Sequence, residues 1–169
     1  MQLNSSQTTL LLLVLREIRL DTGTHPGHLA LFTGKTPKEW ASVESGKTSL
    51  TLHGFTSASY ALGQQPSHVL WLAEQLATKF TPYGWYFQPA PLGKEDDLLP
   101  LIDQYFTSEG YEALKLSSNR TSVTALAQGN HLAQPTIVQY CCVQGFREWV
   151  DAGAIPQETS PSSDSYEGL

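Results

Sequence analysis

The chain has 169 residues, enough for one medium or two small domains, and 40% apolar residues with four Trp can fill a core. A net charge of −6 excludes a protein that coats nucleic acid indiscriminately, and the composition is not that of a disordered chain. The charge is uneven: residues 1–80 hold six Lys/Arg against five acids, whereas residues 81–169 hold four against eleven.

Only the first half is therefore neutral enough to face a phosphate backbone. Its apolar run TLLLLVL (9–15) has no basic leader and no small-residue cleavage site, and REIR follows at once. That run is too short to span a bilayer, so it reads as the buried start of a helix in a cytoplasmic protein. Ser5 or Ser6 caps this helix, which runs to about Thr22 and stops at Gly23. Leu11, Val14, Leu15 and Ile18 recur along it at three- and four-residue intervals.

A second short helix follows THP, with Pro26 in its first turn, Leu29, Ala30 and Phe32 as its inner face and Gly34 as its stop. The third starts with Thr36 as N-cap, Pro37 in its first turn and Glu39 completing a capping box. Trp40 and Val43 face inward, and Gly46 ends it. A fourth, around 51–62, carries Leu52, Phe55, Ala58 and Leu62 inward. The fifth opens at Pro66 with Val69, Leu72, Ala73, Leu76 and Phe80 on one stripe.

Residues 81–93, TPYGWYFQPAPLG, place three Pro and four aromatics where no helical period exists, and so predict an extended segment or edge strand that packs its rings. An acidic helix start follows in KEDDLLPLIDQYF, with Pro100 confining it. YEALKL and SVTALA fit strands or short helices equally. PTIVQYCCVQGFREWVDAG predicts one helix with Val138, Cys141, Cys142, Phe146, Trp149 and Val150 inside. Adjacent cysteines suit neither a disulfide nor a metal spacing and are expected in the core. The tail from Gln157 is polar and Ser-rich and is expected to be disordered.

From about Val14 to Leu70 the chain resembles, without a gap, the phage repressor and Cro type of helix-turn-helix domain, the Xre-like class of regulators. The residues that carry the likeness are Ile18, Arg19 and Gly23, then Leu29, Ala30, Phe32 and Gly34. Trp40, Val43, Glu44 and Gly46 continue it, followed by Leu52, Phe55, Ala58, Ala61, Leu62, Gly63, Val69 and Leu70. The resemblance covers about a third of the chain.

It implies a mainly α fold with a five-helix repressor-like bundle over 1–80; beyond the resemblance, the residues' own pattern predicts a Pro/aromatic connector over 81–93 and a smaller α or α+β dimerisation or effector domain over 94–156. It also implies a third helix lying in the major groove of double-stranded DNA. Thr36, Lys38, Glu39 and Ser42 would then face base edges, Lys35 and Lys47 phosphates, and His25 and His28 the backbone at the second helix. Glu44 is expected to pair locally, with Arg19 as the candidate partner.

These features predict a transcriptional regulator acting as a homodimer on an operator, with a small-molecule or protein effector on the second half. The alternative is a protein–protein interaction module that keeps the repressor fold without binding DNA. Favouring that alternative, Pro26 and Pro37 stand where such domains often carry Gln, and no Arg occurs from residue 20 to 119. His25 and His28 have a spacing that can ligate zinc, but no third ligand lies near them in sequence. No nucleophile elbow, phosphate-binding loop or His-Glu-x-x-His motif is present, and His131 and Asp103 are isolated, so neither catalysis nor a cofactor is expected.

Overall fold

The computed structural model describes residues 2–129 and 132–156. His131 and the tail from Gln157 lie outside the described residues. The fold is mainly helical with one small sheet.

Strand β1 (Leu3–Ser6) leads into α1 (Gln7–Asp21), whose N-cap is Ser6: its hydroxyl accepts the Thr9 N–H at 3.1 Å. Helix α1 buries Leu10, Leu12, Leu13, Val14, Leu15 and Ile18, more than one face can account for, and so runs through the interior. Each such side chain contributes roughly 1.5–3 kcal/mol by leaving water.

Around it stand α2 (Pro26–Thr33), α3 (Pro37–Glu44), α4 (Leu52–Ala61) and α5 (Pro66–Phe80). The predicted stripe of α5 is buried in full. Two inward assignments are corrected. Phe32 is half exposed, and only Leu29, Ala30 and Thr33 of α2 are buried. Leu52 is 78% exposed because it is the first residue of α4, set ahead of the turn that meets the core at Phe55.

Strand β2 (Trp85–Gln88) pairs parallel with β1, Leu3 opposite Trp85 and Ser6 opposite Gln88. Alternation along it turns Trp85 and Phe87 onto Phe80, with ring centroids 5.6 and 5.7 Å away, and leaves Tyr86 exposed. Of the segment expected to be extended over 81–93, residues 85–88 form a strand that packs Trp85 and Phe87, whereas Tyr83 sits in a 3-10 turn and stays exposed like Tyr86. Its partner LNSS carries no strand signature of its own. The other edge of β1 is closed by Asp97, whose carboxylate accepts the Asn4 N–H (2.7 Å) and whose N–H donates to the Asn4 carbonyl (2.8 Å).

Beyond the sheet come α6 (Leu98–Thr107), α7 (Glu109–Leu116), a 3-10 turn at Val123–Gln128, α8 (Thr136–Cys142) and α9 (Gln144–Asp151). Pro100 sits in the first turn of α6, where its missing N–H costs nothing. YEALKL is helical. The single helix expected over residues 135–153 is instead two, broken at Val143 (φ −117°, ψ 106°). Arg147 explains the break: its guanidinium donates to the Tyr140 and Cys141 carbonyls at 2.9 and 2.7 Å, satisfying the end of α8 from outside the helix. Gly110 of α7 packs so closely on α9 that a methyl group there would meet the Val150 carbonyl. The buried side chains form one cluster with members from α1 through α9.

Candidate functional site

The residues singled out by sequence gather around the turn between α2 and α3. His25 caps α2, its Nδ1 accepting the Gly27 N–H at 3.0 Å, which fixes the ring. His28 meets Phe32, with centroids 4.9 Å apart. Gly34 ends α2 in the left-handed region (φ +68°), and the Lys35 N–H returns to the Ala30 carbonyl at 2.9 Å. That return lets α3 start immediately in a new direction.

Thr36 caps α3 by accepting the Glu39 N–H at 3.2 Å. The reciprocal half of the expected capping box takes a different form: the Glu39 carboxylate accepts the Thr36 hydroxyl at 3.1 Å, so the two side chains are engaged with each other. Trp40 and Val43 are each 1% exposed. Opposite them, Thr36, Lys38 and Glu39 are exposed and Ser42 is half-buried, with Lys35 half-buried before the helix and Lys47 exposed after it.

Glu44 faces away from this surface. Both its oxygens bind Arg19, Nε at 2.6 Å and Nη2 at 3.2 Å, and the two side chains are about equally buried. The pair expected from sequence is present, and it removes the one acid at the C-terminal end of α3 from the outer face. That face carries Lys35, Lys38 and Lys47 against Glu39 alone.

Gly46 ends α3 at φ +78° with its Cα against the Leu99 side chain, so the exit of α3 rests on α6. Between them lies a cavity of about 330 Å³, lined by Thr8, Leu12, Lys47, Thr48, Leu92 and Asp96 among others. A smaller cavity of about 240 Å³ lies between Leu10, Leu70, Ala73 and Phe87.

Two polar clusters were not singled out by sequence. Asp96, buried, accepts from the Ser5 hydroxyl (2.8 Å), the Thr9 hydroxyl (2.5 Å) and the Leu98 and Leu99 N–H groups (2.9 and 3.0 Å). Its bonds are all internal, and it ties β1 and α1 to the start of α6. The other is Glu17, fully buried in α1, which accepts from Arg120 Nη1 at 2.7 Å and from the Val123 N–H at 2.9 Å. The second Arg120 nitrogen, Nη2, pairs with Asp21, which also accepts the Ser122 hydroxyl at 2.6 Å. Burial pushes the Glu17 carboxyl up to about 7, against the pull of Arg120. One signal for it existed: an acid embedded in the inward-facing run of an apolar helix.

Other described groups are held in their neutral forms. Burial raises the Cys141 thiol and pushes Cys142 up to about 12, so both are protonated near neutrality. Tyr111 is pushed up to about 12 by burial, and Tyr140 is raised by burial and by its bond to Asp151. Among the described residues no three His, Cys, Asp or Glu converge as metal ligands, and no helix is long and apolar enough to cross a membrane. No protein family, curated protein or solved structure matches the chain.

Proposed function

We propose that this protein is a sequence-specific DNA-binding regulator of the phage repressor and Cro type, acting without catalysis as a homodimer on an operator with paired half-sites. The observation that supports this most is the disposition of α3. Its apolar residues are sunk in the core, the acid at its end is locked on Arg19, and Lys38 is left in water between Thr36 and Ser42. Lys38 would donate to guanine O6 or N7, while Lys35 and Lys47 neutralise flanking phosphates and His25 and His28 lie against the backbone. Thr36 and Glu39 are bonded to each other through Oε1, and the second carboxylate oxygen of Glu39 is left to accept from cytosine N4.

Three lysines give one domain little affinity, and two domains on one rigid body are the usual remedy. In the same reading the acidic second half keeps DNA on the α3 side, and the cavity between the α3–α4 loop and Leu92–Asp96 is where an effector would act on the exit of α3.

The test is enrichment of bound sequences from a random duplex pool, followed by fluorescence anisotropy on the enriched duplex at several salt concentrations. A shared motif and an affinity that falls steeply with salt, by about 0.9 log units per log unit of salt for each neutralised phosphate, support the reading. Absence of any enriched motif, with no binding at low salt, removes it.

A second reading has its own observation. Helices α2 and α4 pack together, and both leave leucines in water, Leu31 at 77% and Leu52 at 78%, with Phe32 half exposed beside them in sequence. Apolar residues on the element that would cross a phosphate backbone favour a protein partner at this surface. A Leu31→Ser variant that loses a protein partner while DNA binding is absent throughout would establish that reading instead.

A further inference from the structure

Every nitrogen of the Arg120 guanidinium is a hydrogen-bond donor and none can accept. Nη1 donates to Glu17 at 2.7 Å and Nη2 pairs with Asp21, whereas Nε is buried without a partner among the described residues. Two more buried polar atoms stand beside it in the same condition. Tyr105 of α6 and Tyr111 of α7 are 0% and 1% exposed, and neither hydroxyl has a hydrogen-bond partner among the described residues.

The three side chains are neighbours. The Tyr105 and Tyr111 rings meet edge to face with centroids 5.3 Å apart, and Arg120 Cζ lies 5.4 Å from the Tyr111 centroid. The Tyr105 hydroxyl feels the charges of Arg120 and Glu17, yet it is in bonding geometry with neither. A buried donor or acceptor left without a partner forfeits the bonds that it makes to water in the unfolded chain. Trp40 and Trp85 each leave one such atom alone, but here three fall on adjoining side chains.

The nearest acceptors are already engaged. One Glu17 oxygen takes Arg120 Nη1 and the other the Val123 N–H, while the Asp21 oxygens take Arg120 Nη2 and the Ser122 hydroxyl. An anion added here would meet two carboxylates, and a cation would meet the guanidinium. The occupant that suits all three atoms is therefore neutral. It must accept from Nε–H, which can only donate, and exchange bonds with hydroxyls, which do either. Water is the smallest molecule of that kind.

We propose that one buried water molecule binds between Arg120, Tyr105 and Tyr111, accepting from Arg120 Nε–H and from one tyrosine hydroxyl and donating to the other. Bridged in this way, each group recovers a bond nearly as good as a direct one. The water closes the remaining side of the guanidinium. It joins the segment after α7 to α6 and α7, as Glu17 and Asp21 join that segment to α1. The site does not depend on what α3 contacts.

The experiment is oxygen-17 magnetic relaxation dispersion on the full chain, which counts water molecules that stay bound longer than the protein takes to tumble, with urea unfolding of the same samples. In the double variant Tyr105→Phe, Tyr111→Phe the water keeps only Arg120 Nε, and the count is expected to fall by one. Tyr140→Phe is the control: its hydroxyl donates to Asp151, so the count stays as in wild type. Each single variant at the site is expected to raise the unfolding constant about fivefold, because a satisfied hydroxyl is lost. The double variant raises it by less than the product of the two, since both remove the same water. Should the double variant not fold, the loss of one water is read in Tyr105→Phe. An unchanged count means that the hydroxyls find partners in the protein, and an unfolding constant that does not rise in Tyr105→Phe means that they are bare. Either result overturns the site.

Discussion

Around α3 almost every fixed polar group is held by a near neighbour in the chain: Thr36 by Glu39, His25 by Gly27, Lys35 by Ala30, Lys47 by Ser42. In residues 94–156 many polar bonds reach back across the molecule instead. Asp96 binds Ser5 and Thr9, 91 and 87 residues away, and Arg120 and Val123 bind Glu17, 103 and 106 residues away. A segment fixed by local bonds can vary its outward side chains without disturbing the rest. One sewn in through long-range buried pairs cannot, because each partner left behind is a buried polar group without its bond. The contrast is compatible with the proposed recognition by α3 and assigns rigidity to the second half.

That contrast predicts a graded series. Removing the guanidinium in Arg120→Ala leaves Glu17 buried without a cation, with Asp21 at the surface one turn away. Denaturant unfolding at pH 8 should show a loss of about 3–5 kcal/mol, and less at pH 5, where Glu17 keeps its proton. Gly110→Ala forces α7 off the Val150 carbonyl and should cost about 1–3 kcal/mol. Thr36→Ala removes only a cap and should cost about 1 kcal/mol, read as a small fall in thermal midpoint. Lys38→Ala should change stability by no more than about 0.5 kcal/mol, because its side chain is exposed. If Thr36→Ala proved as damaging as Arg120→Ala, the division between locally and distantly fixed regions would fail.

The same division explains what the sequence revealed. Helix starts and stops in the first 80 residues are written in short-range chemistry, Ser6, Thr36 and Pro66 at the beginnings and Gly34 and Gly46 at the ends, and the helices stand where these residues predict. Glu44 is legible as a locally paired acid because a negative charge at the end of α3 suits neither a phosphate nor a groove, and Arg19 is its partner. Strand β1 is not legible, because LNSS becomes a strand only by pairing with residues some eighty positions later. The break at Val143 is invisible for the same reason: an apolar period runs straight through it, and the Arg147 guanidinium that ends α8 acts by geometry rather than by pattern. Phe32 and Leu52 show the reverse error, since hydrophobicity marks a residue that can be buried, not one that is.

The central claim is that the outer face of α3 reads DNA, and fluorescence anisotropy on an enriched duplex tests it most directly, with wild type, Lys38→Ala and Leu31→Ser compared across a salt series. The account predicts that Lys38→Ala weakens binding and lowers the salt slope by about 1 per half-site, while Leu31→Ser leaves both unchanged. Equal weak binding of all three proteins to enriched and scrambled duplexes would contradict it and transfer the function to the exposed leucines of α2 and α4.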